Sequence, residues 1–421
     1  MNGRTLPTPS PAPRSPFAAA APSIVLALAY LVAIVLWLVA GDRLPGGRWL
    51  AVHLFTLGVL TNLVLTFSEH FGRTLTRTPG ERAAWWPLVT NLGILVTLVG
   101  LPTRNPALVA TGTTVLVVVV FLAYLRLRRM RKQAVGARFT WIVRVYERAH
   151  GAFLHGAVIG GVLGTGIIPG QWHIGFRTAH LHANVLGWGG LTLLATLVFF
   201  GPTMARTRIE PGADDRAARA LRHGATGLSA AVLLLLAVGA PGAWGVAARV
   251  GAAAGLAVLA WAGVTVCLPV ARSAWRAKPT APRLLVVAVT VWLPVVVVAD
   301  VVVVATGAWR WLDALGAAAL IAVLGQAILA TLTYLAPMLR GRAGEQRETI
   351  RRRLEVGATT KAVAFQLAAV FVVLDRAPPT DLPPLSGVAW GLLVAVLAAT
   401  AVGALLPPTL GPSRGTDTAA G

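Results

Sequence analysis

The sequence predicts an all-α, polytopic membrane protein of about twelve transmembrane helices. Three observations carry that reading. Hydrophobic residues make up 56% of the 421 and charged ones only 12%, more apolar side chain than one water-soluble core needs. The apolar residues come in runs of about twenty, the length that crosses a bilayer's hydrocarbon core. The basic residues also favour one side. Of the 37 Lys and Arg, only Arg43, Arg48, Arg104, Arg177, Arg249, Arg310 and Arg376 fall in segments that an inside amino terminus places outside. That is the positive-inside pattern, and an even number of crossings then sets both termini in the cytoplasm. The net charge of +22 is thus a signal of topology, and nucleic acid is rejected as a partner. The predicted environment is the lipid bilayer.

Taken in order, residues 1–20 include Pro7, Pro9, Pro11, Pro13 and Pro16 and have no apolar face, so they read as a disordered cytoplasmic tail. A single transmembrane domain is predicted over 21–407, and 408–421 form a short cytoplasmic tail. The first four runs lie at roughly 22–40, 49–68, 86–101 and 105–125. The first is too long for a signal-peptide core and reads as an uncleaved helix. Arg126–Arg148 follows, its basic residues interleaved with Phe139, Trp141, Ile142 and Val145. It reads either as an amphipathic helix on anionic lipid or as an ordinary basic loop. The next four runs lie at roughly 149–168, 180–200, 224–240 and 246–269, and the last four at 284–306, 314–337, 361–375 and 386–406. Thr203–Arg222 and Arg340–Glu355 are charged enough to read as solvated connectors. Many tryptophans sit near run ends, as in an interfacial belt. Cys267 is the only cysteine, which excludes an internal disulfide or a cysteine metal site.

A pattern recurs at four-run intervals. His53-Leu-Phe-Thr-Leu57-Gly58 opens the second run and His182-Ala-Asn-Val-Leu186-Gly187 the sixth. Leu320-Ile-Ala-Val-Leu324-Gly325 lies in the tenth, with leucine in place of histidine. The sixth and tenth also end alike, Ala195-Thr196-Leu197 before Pro202 and Ala330-Thr331-Leu332 before Pro337. Three pseudo-repeats of four helices follow.

An imidazole in hydrocarbon costs several kcal/mol unless something binds it. Two at matching positions point to a shared ligand, and haem is the first candidate. His182 matches His53 by position. His180, two residues earlier, points about 200° away on a helix. Gly58 and Gly187 would let a flat group approach the backbone; the competing use of those glycines is close helix packing. A second, inner site between His70 and His155 is the minor reading, because His53 and His70 lie about 100° apart around a straight helix. Asp300, a carboxylate well inside an apolar run, reads either as part of a proton path or as a partner of Arg249 or Arg310. Asn62, Asn91, Asn184, Gln326 and Tyr334 are candidates for hydrogen bonds between helices.

In these residues the chain resembles the haem–copper oxidase subunit I superfamily, in the divergent bacterial branch that includes membrane proteins of the nitric-oxide response. The likeness rests on twelve helices, internal termini, the three-by-four arrangement, the histidine at the outer end of the second helix, and Ala179-His-Leu-His-Ala-Asn-Val-Leu-Gly-Trp188. It implies that His53 ligates a low-spin haem, and that His180-Leu-His182 corresponds to a His-x-His pair, displaced from the tenth helix to the sixth. The oxygen-reducing members' His-x-x-x-Tyr and adjacent His pair are both missing here, and the tenth run holds no histidine.

The expected function is a haem-binding membrane redox protein of the bacterial plasma membrane. A haem b would lie between His53 and His182 or His180, with copper a weaker possibility, and the protein would serve electron transfer or nitric oxide and oxygen handling beside a respiratory redox partner. Catalytic turnover is left open. The alternatives are a secondary transporter and a cofactor-free accessory subunit of a respiratory complex. The apolar character of runs seven to twelve, and the histidines gathered near the surfaces, count against a transporter.

Overall fold

A computed structural model describes residues 20–43, 46–79, 84–134, 138–341, 344–378 and 385–406. The expected tails lie outside these residues, apart from Ala20. Everything described is helix or connector, with no strand among the described residues. The helices are α1 (Ala21–Ala40), α2 (Gly47–Thr76), α3 (Trp86–Gly100), α4 (Pro106–Gln133), α5 (Thr140–Gly164), α6 (Gly170–Ala205), α7 (Ala213–Leu235), α8 (Ala243–Trp275), α9 (Ala281–Thr306), α10 (Trp309–Arg340), α11 (Gly344–Glu355), α12 (Ala358–Arg376) and α13 (Ser386–Leu405). Among the described residues, nine are long and apolar enough to cross a membrane: α1, α2, α4, α6, α8, α9, α10, α12 and α13. The chain is a multi-pass membrane protein. Helix α3 is apolar but has only 15 residues. Helices α5 and α7 are diluted by charge in their N-terminal parts, where Arg144, Glu147, Asp214 and Arg216 lie.

The basic segment after the fourth run is neither a surface helix nor a long loop. Arg126–Gln133 continues α4, and Thr140 already begins α5. Its charges are met by pairing: Arg131 Nε donates to Glu147 at 2.5 Å, Arg126 donates to Glu69 at 2.6 Å, and Arg138 donates to Asp214 at 2.6 Å. Arg340–Glu355 does contain a charged helix, α11, and Glu355 accepts from the first backbone N–H of α9 at 2.7 Å.

Lipid-facing stripes run opposite buried polar groups. On α3, Leu88, Leu92, Leu95 and Val99 are exposed while Thr90, Asn91, Ile94 and Thr97 are buried. On α9, Val291, Val295, Val298 and Val302 are exposed while Thr290, Val297 and Asp300 are buried. Spacings of three and four residues keep each set on one face. With hydrocarbon outside, polar groups turn inward to find partners. Asn62 and Asn91 meet the expectation, exchanging two side-chain bonds of 3.0 Å between α2 and α3.

The recurring sequence pattern has a recurring structure. Helices α2, α6 and α10 each widen into a π-helical segment, at Leu54–Leu60, His182–Gly190 and Ala318–Gly325. Every Leu-Gly pair of the pattern lies within one. π turns are rare and concentrate at functional sites. The three segments face one another: a Cβ at Gly189 would lie 2.9 Å from Leu324 and 3.4 Å from Leu60. Further in, Phe71 of α2 meets Phe199 and Phe200 of α6 with ring centres at 5.1 and 5.2 Å, and Phe200 meets Tyr334 of α10 at 5.4 Å. These contacts join the three helices along their length.

Candidate functional site

His53 ends the α-helical turn that precedes the first π segment. Its Nδ1 lies 2.9 Å from the Trp49 carbonyl, and its ring stacks on Trp49 at 4.1 Å between centres. One turn of helix thus fixes both the tautomer and the ring plane.

His180 comes from α6 but is seated by α5. Its Nδ1 lies 2.7 Å from the Gly156 carbonyl, and a Cβ on Gly160 would come within 2.3 Å of its Cε1. Asn184, one turn on, rests against Gly156 in the same way and donates to the His180 carbonyl at 2.8 Å. The stripe Gly156, Gly160, Gly164 is therefore a seat for two polar side chains as well as a packing seam.

The ring centres of His53 and His180 lie 6.3 Å apart with planes 18° from parallel. Each Nδ1 faces a carbonyl and so carries the proton, which leaves each Nε2 as a lone-pair donor. The two rings thus each offer an Nε2 lone pair with which His53 and His180 would hold a metal ion.

His182 does not join this pair. It is fully buried, with Nδ1 2.7 Å from the Thr178 carbonyl and Nε2 2.7 Å from Asp300 of α9. Since Nδ1 must donate to the carbonyl, the Nε2–Oδ2 contact holds a second proton between the two groups. Both nitrogens are occupied. Asp300 thus pairs with His182, and neither Arg249 nor Arg310 is the partner expected for it.

The two glycines of the pattern serve packing. A Cβ on Gly58 would fall 2.3 Å from the Tyr30 ring of α1, and one on Gly187 2.6 Å from Ala152 of α5. Neighbouring helices already fill the surfaces offered to a flat ligand. At the inner side, His155 is exposed and bonds the Gly151 carbonyl of its own helix at 2.8 Å, while His70 lies edge-on to Phe71 at 5.6 Å. Among the described residues, no three His, Cys, Asp or Glu side chains gather as a metal site.

The repeat in the sequence extends beyond the histidine pattern. Arg48 and Arg177 stand five residues before His53 and His182, which extends the pattern to R-x-x-x-x-H-x-x-x-L-G. Both donate to Asp313 near the start of α10, at 3.1 and 2.8 Å. One carboxylate thus ties the histidine-bearing ends of α2 and α6 to α10. Trp49, at the start of a run, reads equally well as a belt residue, and only the stack shows its other use. No protein-family model matches the chain, and no curated protein matches it either.

Proposed function

We propose that the chain is a haem-binding redox protein of the bacterial plasma membrane, with one b-type haem iron held between His53 of α2 and His180 of α6. The observation that carries the reading is the imidazole pair, centres 6.3 Å apart, each Nδ1 tied to a carbonyl and each Nε2 left as donor. His180 takes the role over His182, whose two nitrogens are already engaged. With both His53 and His180 holding the iron, the site would favour electron transfer over binding of a gas. When bound, the haem supplies the one-electron carrier. The protein's part is to hold the two rings, exclude water and set the polarity around them.

In this reading the twelve long helices α1–α10, α12 and α13 all cross, both termini lie inside, and α11 rests at the inner surface. The helix count, the paired histidines and the repeat at four-helix intervals support a divergent relative of the haem–copper oxidase subunit I superfamily, with copper the weaker possibility.

The test is a reduced-minus-oxidised absorption spectrum of the purified protein, as isolated and after incubation with haem. A Soret band and an α band are expected. Replacing His53 or His180 by Ala is expected to remove them, whereas His182→Leu combined with Asp300→Leu keeps haem content near the wild-type level. If the wild-type protein takes up no haem, the function falls. If haem stays in both His53→Ala and His180→Ala, the ligand pair falls.

A further inference from the structure

At the basic end of the bundle a cavity of about 720 Å³ opens between three stretches of chain. The first is the end of α6, with Arg206; the second joins α8 to α9, with Lys278; the third runs from the end of α11 into α12, with Arg351. Hydrogen bonds hold these stretches together. Thr207 Oγ1 lies 3.0 Å from Ser273 Oγ. The Arg283 guanidinium donates to the Ala274 and Trp275 carbonyls at 2.6 and 2.7 Å, and Glu355 accepts from the Ala281 N–H at 2.7 Å. The hollow is thus built by the fold.

Its lining is positive. Elsewhere on this face Arg126, Arg131, Arg138 and Arg216 each donate to a carboxylate. Arg206 and Lys278 meet no carboxylate among the described residues. Arg351 gives Nε and one Nη to Glu348 and keeps its other Nη. The acidic side chain in the lining, Glu355, is committed to the start of α9. Ala358, Thr359 and Thr360 add the first turn of α12 to the wall. The first backbone bond of that helix runs from the Lys361 N–H to the Gly357 carbonyl at 2.8 Å, so three N–H groups before it have no helical acceptor.

The depth is that of lipid headgroups. Trp275, three residues before Lys278, is 73% exposed, and Val356, beside Gly357, is 74% exposed. A tryptophan at such a helix end sits at the membrane–water boundary, and the valine suits the glycerol region of a lipid better than open water.

We infer that this cavity is a binding site for a phosphate group, carried by an anionic phospholipid or by a soluble phosphate compound, with its depth selecting the lipid. Phosphate oxygens accept from guanidinium, ammonium and backbone N–H donors at once, and a basic hollow at the bilayer surface concentrates anionic headgroups. Neither the histidines nor haem enters the argument.

Full-length protein in neutral detergent is titrated with phosphatidylglycerol, with phosphatidylcholine of the same chains, and with inorganic phosphate. Unfolding temperature and lipid retained in native mass spectrometry are read. Phosphatidylglycerol is expected to bind more tightly than phosphatidylcholine, whose quaternary ammonium the lining repels. Arg206→Gln with Lys278→Gln should weaken binding about tenfold or more. Arg208→Gln with Arg276→Gln removes the same charge from the same face outside the cavity and should leave it within about twofold. All four side chains are exposed, so both double variants keep the fold. Thr359→Asp is the second kind of variant: its carboxylate stabilises the start of α12 while repelling phosphate, so binding falls in a protein no less stable. If inorganic phosphate fails to displace phosphatidylglycerol, the carrier is the lipid. If inorganic phosphate itself raises the unfolding temperature, and does so through Arg206 and Lys278, the carrier is soluble. Equal loss in the two double variants, or no response to either probe, overturns the inference.

Discussion

At the scale of single residues, His182 and Asp300 form a buried pair whose halves depend on each other. They are 118 positions apart in sequence and 2.7 Å apart in space. Asp300→Ala leaves His182 deep in the bundle without its counter-group and is expected to cost about 3–5 kcal/mol. Asp300→Asn keeps a polar partner and should cost less, and His182→Leu combined with Asp300→Leu should recover much of the loss. Thermal unfolding in detergent compares the four proteins, and a loss below about 1 kcal/mol for Asp300→Ala would contradict the pairing. His53 could be picked out from sequence because a repeated pattern and the cost of a buried imidazole both mark it. The choice between His180 and His182 could not. It is decided by Gly156 and Gly160 of α5 and by Asp300 of α9, and neither helix reveals its neighbours in its own composition.

At the scale of elements, the π segments show how a short pattern becomes a shape. H-x-x-x-L-G and its leucine variant were legible as a repeat, yet nothing in residue spacing announces an i→i+5 turn. Propensity sees Leu, Val and Gly in all three segments and cannot tell a wide turn from an ordinary one. Run boundaries shifted for a similar reason. Helices α5 and α7 begin well before their apolar stretches because arginines and carboxylates pair at the inner surface instead of ending the helix. Helix α11 shows such charges most openly. Arg351 and Arg352 both donate to Glu348, and their guanidinium groups hold its carboxyl down to about 2. A carboxylate lowered in the folded state adds stability above its ordinary value near 4.5 and loses it as the pH falls through about 2. Carboxyl NMR should place the Glu348 titration near that lower value. Protection of α11 from hydrogen exchange, corrected for intrinsic rates, should fall over the same window and show no such step in Glu348→Gln.

At the scale of the whole molecule, hydropathy and charge placement made the class legible before any helix was located, because a bilayer imposes its thickness on every crossing. The packing order was hidden, since lipid-facing and core-facing positions are both aliphatic and differ only in what they touch. Topology remains open to direct measurement. The native Cys267 is buried, so it should react slowly with a membrane-impermeant thiol reagent, and single cysteines can be added on that background. A cysteine at Thr207 or Lys278 is expected to be labelled only in inverted vesicles, and one at Thr103 or Gly242 only in intact cells; the reverse outcome would turn the protein over in the membrane. The Asp313 bridge has a further consequence. Its three members keep 57%, 42% and 49% of their side-chain surface in water, where dissolved ions weaken attraction over roughly 8–10 Å. Ionic strength in the surrounding water therefore reaches the Asp313 bridge while leaving the buried His182–Asp300 pair untouched. A brine-loving host and a freshwater one would select for different residues at 313 and for the same residues at 182 and 300.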